Sequence, residues 1–282
     1  MSTNNHWDLI LEPKRAWWDL RLNQVWRYRD LVLLFVRRDF VSYYKQTILG
    51  PLWFLIQPIL TTLMYTFIFG NIASISTDGL PQFLFYLSGT VLWAYFAECL
   101  NKTSDTFITN ANIFGKVYFP RLVMPISILL SNLITFSIQF VLFLGFLLYF
   151  ILTGTNVHPS WAVFTLPILL ILMAGLGLGF GIIISSLTTK YRDLRFLVQF
   201  GVQLWMFATP VIYPISAIPE KIRWVIFLNP ITPIIEAFRF AFLGVGDFSW
   251  IRLAYSCIVM IIVFISGILI FNRVETTFMD TV

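Results

Sequence analysis

The sequence predicts an all-α polytopic membrane protein with six spanning helices, and three observations lead there. Of its 282 residues, 58% are hydrophobic and only 12% charged, about half the charge of a typical soluble domain. The mean hydropathy is +0.81. Apolar runs of about 20 residues, the length that crosses a hydrocarbon core as a helix, recur along the chain. A water-soluble fold of this size could not hide 29 Phe and 10 Trp without a large exposed apolar patch. The same apolar content excludes disorder.

The predicted spans come in order. Pro51–Gly70 is the first, interrupted only by Gln57–Pro58. Leu80–Ala97 is the second, and the third lies within Leu122–Leu152, which holds no charge. Trp161–Leu187, Phe196–Ile215 and Leu253–Phe271 complete the six. Ser216–Trp250 departs from the pattern. Its apolar pieces, Trp224–Leu228 and Ile231–Leu243, are broken by Asn229–Pro230 and Pro233 and are each too short to cross. Irregular backbone at membrane depth persists only when it is buried in protein or faces water. The stretch therefore reads as a re-entrant hairpin or a pair of interfacial helices, with an ordinary extracytoplasmic loop as the alternative. Proline lacks an N–H and blocks helix continuation, so a sharp turn is expected at Asn229–Pro233.

Orientation follows from the basic residues. Eight lie before Gly50: Lys14, Arg15, Arg21, Arg27, Arg29, Arg37, Arg38 and Lys45. Lys102, Lys116 and Arg121 lie between spans two and three, Lys190, Arg192 and Arg195 between four and five, and Arg273 in the tail. The other side has only Lys221, Arg223, Arg239 and Arg252. Cytoplasmic loops carry the excess of Lys and Arg, so both termini are expected in the cytoplasm. The net charge of +5 is too small and too localised for a nucleic-acid footprint. The first 22 residues have no apolar core, so no cleavable signal peptide is expected. Trp53, Trp161 and Trp250, at or near span ends, fit an aromatic belt.

Three segments outside the simple span pattern are candidates for function. Within Gln24–Thr47, apolar residues recur at Val25, Tyr28, Val32, Val36, Phe40 and Tyr43, on one helical face. Arg27, Asp30, Arg37, Arg38 and Lys45 lie on the other. A basic amphipathic helix before a first span lies in the membrane interface, as a simple anchor or in contact with a cytoplasmic partner. The segment Thr109–Arg121 is expected to form a short loop helix, capped by Asn110 or Asn112 and ended by Phe119–Pro120. It would present Ile113, Phe114, Val117 and Tyr118 beside Lys116, either to a groove on a partner or to the headgroups. The third, Gly175–Gly181, reads GLGLGFG inside an apolar run. With no strand before it and no basic residue after it, it signals close helix packing rather than phosphate binding.

The excluded chemistry is as informative. No G-x-x-x-x-G-K-[ST] motif occurs, so ATP-driven transport would need an ATPase on another chain. Charged groups are nearly absent within spans, unlike proton-coupled carriers. Glu98 stands at the cytoplasmic end of span two, and Glu236 and Arg239, at i and i+3, are expected to pair. Cys99 and Cys257 form no metal motif and no expected disulfide, and two histidines are too few for a zinc site. No catalytic set and no metal site are found. A membrane-bound glycosyl- or acyltransferase would require an Asp or His constellation that is missing.

Taken together and in order, the motifs resemble the membrane subunit of a type-2 ATP-binding-cassette polysaccharide exporter, the family that exports lipid-linked O-antigen, capsule or teichoic acid. The resemblance runs through Arg27-Tyr28-Arg29-Asp30-Leu31, Arg37-Arg38-Asp39-Phe40 and Tyr44-Lys45-Gln46-Thr47-Ile48-Leu49-Gly50-Pro51-Leu52-Trp53. It resumes at Lys116-Val117-Tyr118-Phe119-Pro120-Arg121 and Lys190-Tyr191-Arg192-Asp193-Leu194. It closes with Thr209-Pro210-Val211-Ile212-Tyr213-Pro214 and Leu228-Asn229-Pro230-Ile231-Thr232-Pro233, and so covers roughly residues 25–272.

The resemblance implies a permease in the bacterial cytoplasmic (inner) membrane that exports lipid-linked polysaccharide, O-antigen first among the cargoes. Export of small lipids or drugs is the alternative. It implies a homodimer among membrane lipids, two copies of a cytoplasmic ATPase that carry the ATP and Mg, and no cofactor on this chain. Residues 1–50 would form the N-terminal segment with its interface helix, 51–272 the six-span domain, and 273–282 a cytoplasmic tail. Residues 109–121 resemble the coupling helix, with Asn112, Ile113, Phe114, Lys116, Val117, Tyr118, Phe119 and Arg121 facing the ATPase. Residues 218–243 resemble the gate helices, with Pro214, Pro219, Asn229, Pro230, Pro233, Glu236 and Arg239 as gate residues. Arg37, Arg38 and Lys45 would meet the carrier's pyrophosphate. Tyr65, Phe69, Trp93, Trp205 and Tyr213 would offer aromatic surfaces to a sliding glycan.

Overall fold

A computed structural model describes residues 26–45, 47–110, 113, 116, 119–188, 191 and 193–278, and for residues 43, 44 and 271–278 the backbone alone. Helices dominate, and no strand occurs among the described residues. Helix α1 (Arg29–Tyr44) precedes a 3-10 turn at Gly50–Leu52 and α2 (Trp53–Tyr65). The latter tolerates Pro58 and widens into a π-helical turn over Thr66–Ile72. Then come α3 (Gln82–Ser104), the single turn α4 (Thr106–Thr109) and α5 (Val123–Leu152). A 3-10 turn at Trp161–Thr165 leads into α6 (Leu166–Thr188), followed by α7 (Leu194–Phe207). The short helices α8 (Glu220–Leu228) and α9 (Thr232–Leu243) precede α10 (Trp250–Phe278).

Among the described residues, five helical stretches are long and apolar enough to cross a membrane, or six if the bent pair α8–α9 counts as one span. The predicted fifth span, Phe196–Ile215, is corrected. The helix is only 14 residues long and stops at Phe207. Pro210 has no N–H to offer Met206, and a residue before proline is pushed out of the helical region. The chain turns there, and Val211 donates to the carbonyl of Thr209 at 2.6 Å. Two boundaries also move outward. The second span continues to Ser104, so Glu98 and Lys102 pair along one helix face at 2.9 Å. The last helix runs to Phe278, through most of the predicted tail.

Helix α3 is the centre of the fold. Of its apolar window 78% is buried, against 56% for α6 and 17–22% for the other three spans. Those three leave apolar side chains such as Phe67, Val141 and Ile258 outward, as a lipid-facing rim requires. The glycine run explains how α6 reaches two neighbours at once. A Cβ on Gly177 would lie 2.8 Å from Cys99 Cβ, and one on Gly181 2.6 Å from Thr103 Cβ, both on α3. A Cβ on Gly175 would lie 2.6 Å from Met260 Sδ, and one on Gly179 3.0 Å from the Phe264 nitrogen, both on α10. Two interleaved pairs of glycines four apart thus seat α6 against a helix on either side.

At one end, α1 lays Val32, Phe35 and Val36 against Phe119, Val123 and Met124; Val32 and Val36 belong to the predicted stripe and Phe35 does not. The other end gathers the loops 73–81 and 153–160 with the last turn of α9. Ser160 donates to Ala241 O at 2.8 Å, and Ser216 Oγ donates to Asp78 Oδ1. Trp161 and Trp250 stack there with ring centroids 6.2 Å apart.

Candidate functional site

Two regions gather the polar side chains that an apolar fold would otherwise exclude. The first is a corner built by α8 and α9, whose axes bend by 101°. Pro233 occupies the first turn of α9, where its missing N–H has no intrahelical partner to lose. Asn229 ends α8. Its Nδ2 donates to Thr209 Oγ1 at 2.7 Å, while its Oδ1 accepts from the Ile231 N–H at 3.1 Å. Helix α10 holds the corner from outside, since Ser256 Oγ donates to Pro230 O at 2.7 Å and Tyr255 to Leu228 O at 2.8 Å.

Beneath the corner lies the pair Glu236–Arg239. Spacing predicts the pair, and the structure buries it: Arg239 is 2% exposed and Glu236 3%, with Nη1 3.6 Å from Oε1. Arg239 donates to the carbonyls of Pro210 at 2.6 Å and Val211 at 2.7 Å, and its guanidinium sits 3.7 Å over the Phe85 ring of α3. Glu236 accepts from the Asp247 N–H at 3.1 Å. One side chain therefore ties α9, the crossing after α7, and α3 together. Gly89 makes this approach possible, because a Cβ there would lie 2.8 Å from Val211 O. Of the other predicted gate residues, Pro214 is buried before the 3-10 turn Ile215–Ala217, and Pro219 is exposed before α8.

The second region is a cavity of about 440 Å³ at the α1 end. Five of the longer helices contribute walls: Arg38 and Asp39 from α1, Phe54 from α2, Asn101 and Lys102 from α3, Ser131 and Asn132 from α5, Arg195 and Gln199 from α7. Each cation in the wall has a carboxylate beside it. Arg38 pairs with Asp39 at 2.8 Å, Lys102 with Glu98 at 2.9 Å and Arg195 with Asp105 at 2.7 Å. Lys102 also donates to Asn132 Oδ1 at 2.9 Å. Burial lifts the Asp105 carboxyl above the usual carboxylate range, and Arg195 pulls it back in part. Thr188 Oγ1 donates to Ser104 O at 2.9 Å, so α6 and α7 both grip the turn that leads out of α3.

The predicted interface cations are all exposed, Arg37 and Arg38 on α1 and Lys45 just after it, and Arg38 lines the cavity. The rest of the wall escapes prediction. Its signals are polar residues inside apolar runs: Ser131–Asn132 in span three, and Gln199 in the run that reads as span five.

The predicted partner-facing segment divides. Asn112, Phe114, Val117 and Tyr118 lie outside the described residues. Lys116 is exposed. Phe119 and Arg121 are 5% and 8% exposed, with the Phe119 ring 5.8 Å from Phe35 and Arg121 over Phe107 at 5.9 Å. They point into this chain, and half-buried Ile113 packs on the same cluster as Phe119. Among the predicted channel aromatics, Trp93 is the most deeply buried. It is 6% exposed, with its ring 5.3 Å from Phe96 and 6.4 Å from Trp205, and so belongs to the core. Tyr65, Phe69, Trp205 and Tyr213 are half-buried. Tyr65 donates to Met206 Sδ at 3.7 Å, and Tyr213 to Phe207 O at 3.0 Å.

Residues 30–243 match the family described as ABC-2 type transporter. The chain is 31% identical over 253 residues, 89% of its own length and 94% of the relative's, to the O-antigen export system permease protein RfbA of Klebsiella pneumoniae. It is 27% identical over 225 residues to the protein of that name in Myxococcus xanthus, covering 78% of this chain and 83% of the relative. It is 23% identical over 221 residues to the inner membrane transport permease YadH of Escherichia coli, covering 74% and 83%.

Proposed function

The chain belongs to the ABC-2 type transporter family, and from that premise we propose that it is the channel-forming permease of an ATP-driven exporter of lipid-linked O-antigen. It is a multi-pass membrane protein of a bacterial transporter family and a transport subunit. The observation that carries the cargo reading is its similarity, over nearly all of both chains, to permeases named for O-antigen export. The chain works as a homodimer in the cytoplasmic membrane with both termini inside. Two copies of a separate ATPase bind ATP and Mg.

The roles follow the division 1–50, 51–272 and 273–282. ATP closes the ATPase pair and moves the coupling segment, 109–121. Asn112, Phe114, Lys116, Val117 and Tyr118 meet the ATPase, while Ile113, Phe119 and Arg121 anchor the segment to α1 and α5. The push reaches α3 and α7 through the Ser104–Asp105 turn. Helices α8 and α9 close the outer mouth around the Asn229–Pro233 corner, with Pro214 and Pro219 fixing the approach. Arg37, Arg38 and Lys45 draw the carrier's diphosphate to the interface. Tyr65, Phe69, Trp205 and Tyr213 line the path where two copies meet, and Trp93 supports Trp205 from behind.

The test is complementation. In a host lacking its own O-antigen permease but keeping the polymer's synthesis and the cognate ATPase, this chain should restore surface O-antigen on an immunoblot. Intracellular accumulation of polymer despite normal membrane insertion would reject the cargo. Replacing Phe114 and Tyr118 together by Ala should lower ATPase recovery on pull-down, because truncated aromatic anchors cost ~2 kcal/mol or more.

A further inference from the structure

The two halves of the outer corner are held very differently, and the difference leads to one residue of α10. Among the described residues, eleven of the twelve in α9 are buried, whereas α8 buries no side chain. Ile222, Trp224, Val225 and Leu228 are exposed along it. Both joints of α8 are extended: Ile218 and Pro219 precede it at ψ 130° and 137°, and Asn229 follows at ψ 115°. Elements with few buried contacts open at a lower free energy than those of the core. A nine-residue helix between two extended joints can therefore move as a unit while α9, fixed by Arg239, does not.

The C-terminal end of α8 is where it is gripped. Thr232 Oγ1 donates to Ile226 O at 2.8 Å, and Tyr255 to Leu228 O at 2.8 Å. Carbonyls of a last helical turn lack a donor four residues on, so these bonds serve the end of the backbone. Arg252 grips a side chain instead. Its guanidinium lies 3.9 Å over the ring of Phe227, next to the negative end of the α8 dipole, where a cation is favoured. On its other side it is ion-paired with Asp247, whose N–H donates to buried Glu236 at 3.1 Å. Arg252 thus joins α8 to the buried pair of α9. A planar guanidinium stacks on a ring and reaches a carboxylate at once, which an ammonium does less well. Its side chain keeps 36% of its surface exposed, so the stack can break without stranding a charge away from water, unlike that of Arg239. Resting on the gate reading of α8 and α9, we propose that Arg252 is a positioning residue of the outer mouth. It holds α8 closed through Phe227, and opening moves α8 off Arg252 while α9 stays in place.

The experiment is hydrogen exchange, read by mass spectrometry, on the intact permease–ATPase complex in lipid nanodiscs, with and without a nonhydrolysable ATP analogue. In the wild type the analogue should speed exchange over α8 and leave α9 unchanged. Without nucleotide, Arg252→Gln should speed exchange over α8 by about 2- to 30-fold, the change in open population that loss of a cation–π contact gives. Phe227→Leu leaves Asp247 and the α9 pair untouched and should give a similar increase, and the double variant should add nothing to either. Arg252→Lys should fall between, since it keeps the cation but not the planar fork. A merely structural Arg252 would instead speed α9 and α10 along with α8. No change over α8 in either single variant, equal acceleration of α9, additive effects in the double variant, or no response of the wild type to the analogue overturns the proposal. Surface display of polymer by the wild type separates it from the export reading. Intact display with an unresponsive α8 removes the role of Arg252 and leaves the export reading; a nucleotide-responsive α8 without display supports Arg252 and rejects the cargo.

Discussion

Arg239 shows how much a single side chain can fix in an apolar fold. Its guanidinium is out of water, bonded to two carbonyls and stacked on Phe85. Removing one member of a buried pair leaves the other charge stranded, at about 3–5 kcal/mol. Arg239→Met should therefore lower the unfolding free energy of the purified protein by about that much. The double variant Glu236→Gln, Arg239→Met should recover part of the loss, because it strands no charge; no recovery would mean that the carbonyl bonds dominate. Glycines give an independent measure. Gly181→Ala drives a methyl to within 2.6 Å of Thr103 Cβ and 3.1 Å of Leu100 O, an overpacking that should cost about 1–3 kcal/mol. Gly145→Ala meets nothing within 4 Å and should be neutral or raise stability by up to about 1 kcal/mol. At this scale the sequence is partly legible. An i, i+3 spacing tells that Glu236 and Arg239 will meet, and glycines four apart tell of close packing. Neither tells what will cover them, since Phe85, Pro210 and Val211 lie far away along the chain.

Elements are legible where a local rule decides them. The apolar stripe of α1, the long spans and the corner at Asn229–Pro233 all follow from periodicity or from proline's missing donor. The length of α7 is not, because Val211 and Ile212 are as apolar as any spanning residue and only the Thr209–Pro210 step breaks the run. The end of residues 109–121 is illegible for another reason: α1 supplies the surface that buries Phe119, and no local pattern tells of it. The corner yields a prediction at this scale. Asn229→Ala removes the bond to Thr209 and the acceptor for the Ile231 N–H, at about 1–3 kcal/mol. Because α10 still grips Leu228 and Pro230, the loss should be local. Hydrogen exchange should speed up over residues 220–232 and stay unchanged in α3; uniform acceleration would show that the corner does not open by itself.

For the whole molecule, the question is which end faces the cytoplasm. The basic-residue pattern places fifteen of nineteen Lys and Arg residues on one side, and the structure sorts the segments into the same two groups. At one end stand α1, the cavity and Asp105–Arg195. At the other stand the 73–81 and 153–160 loops, tied to Ala241 and to Ser216. Arg239, counted among the outer four, is not a loop charge at all but a core residue, which sharpens the asymmetry. Single-cysteine labelling with an impermeant maleimide tests the direction. Thr77 would be a poor probe, being 7% exposed with its hydroxyl bound to Leu80 O. Ser76 and Asn156 are exposed on that end, and Lys116 on the other. Of the native cysteines, Cys99 is buried and Cys257 half-buried, so Cys257→Ala gives the clean background. In intact cells, or in spheroplasts where an outer membrane blocks the reagent, Ser76→Cys and Asn156→Cys should label and Lys116→Cys should not until the membrane is permeabilised. Labelling of Lys116→Cys from outside, with Ser76→Cys protected, would invert the molecule. It would place α1 and the cavity outside, and would put residues 109–121, proposed to meet the ATPase, out of reach of any cytoplasmic partner.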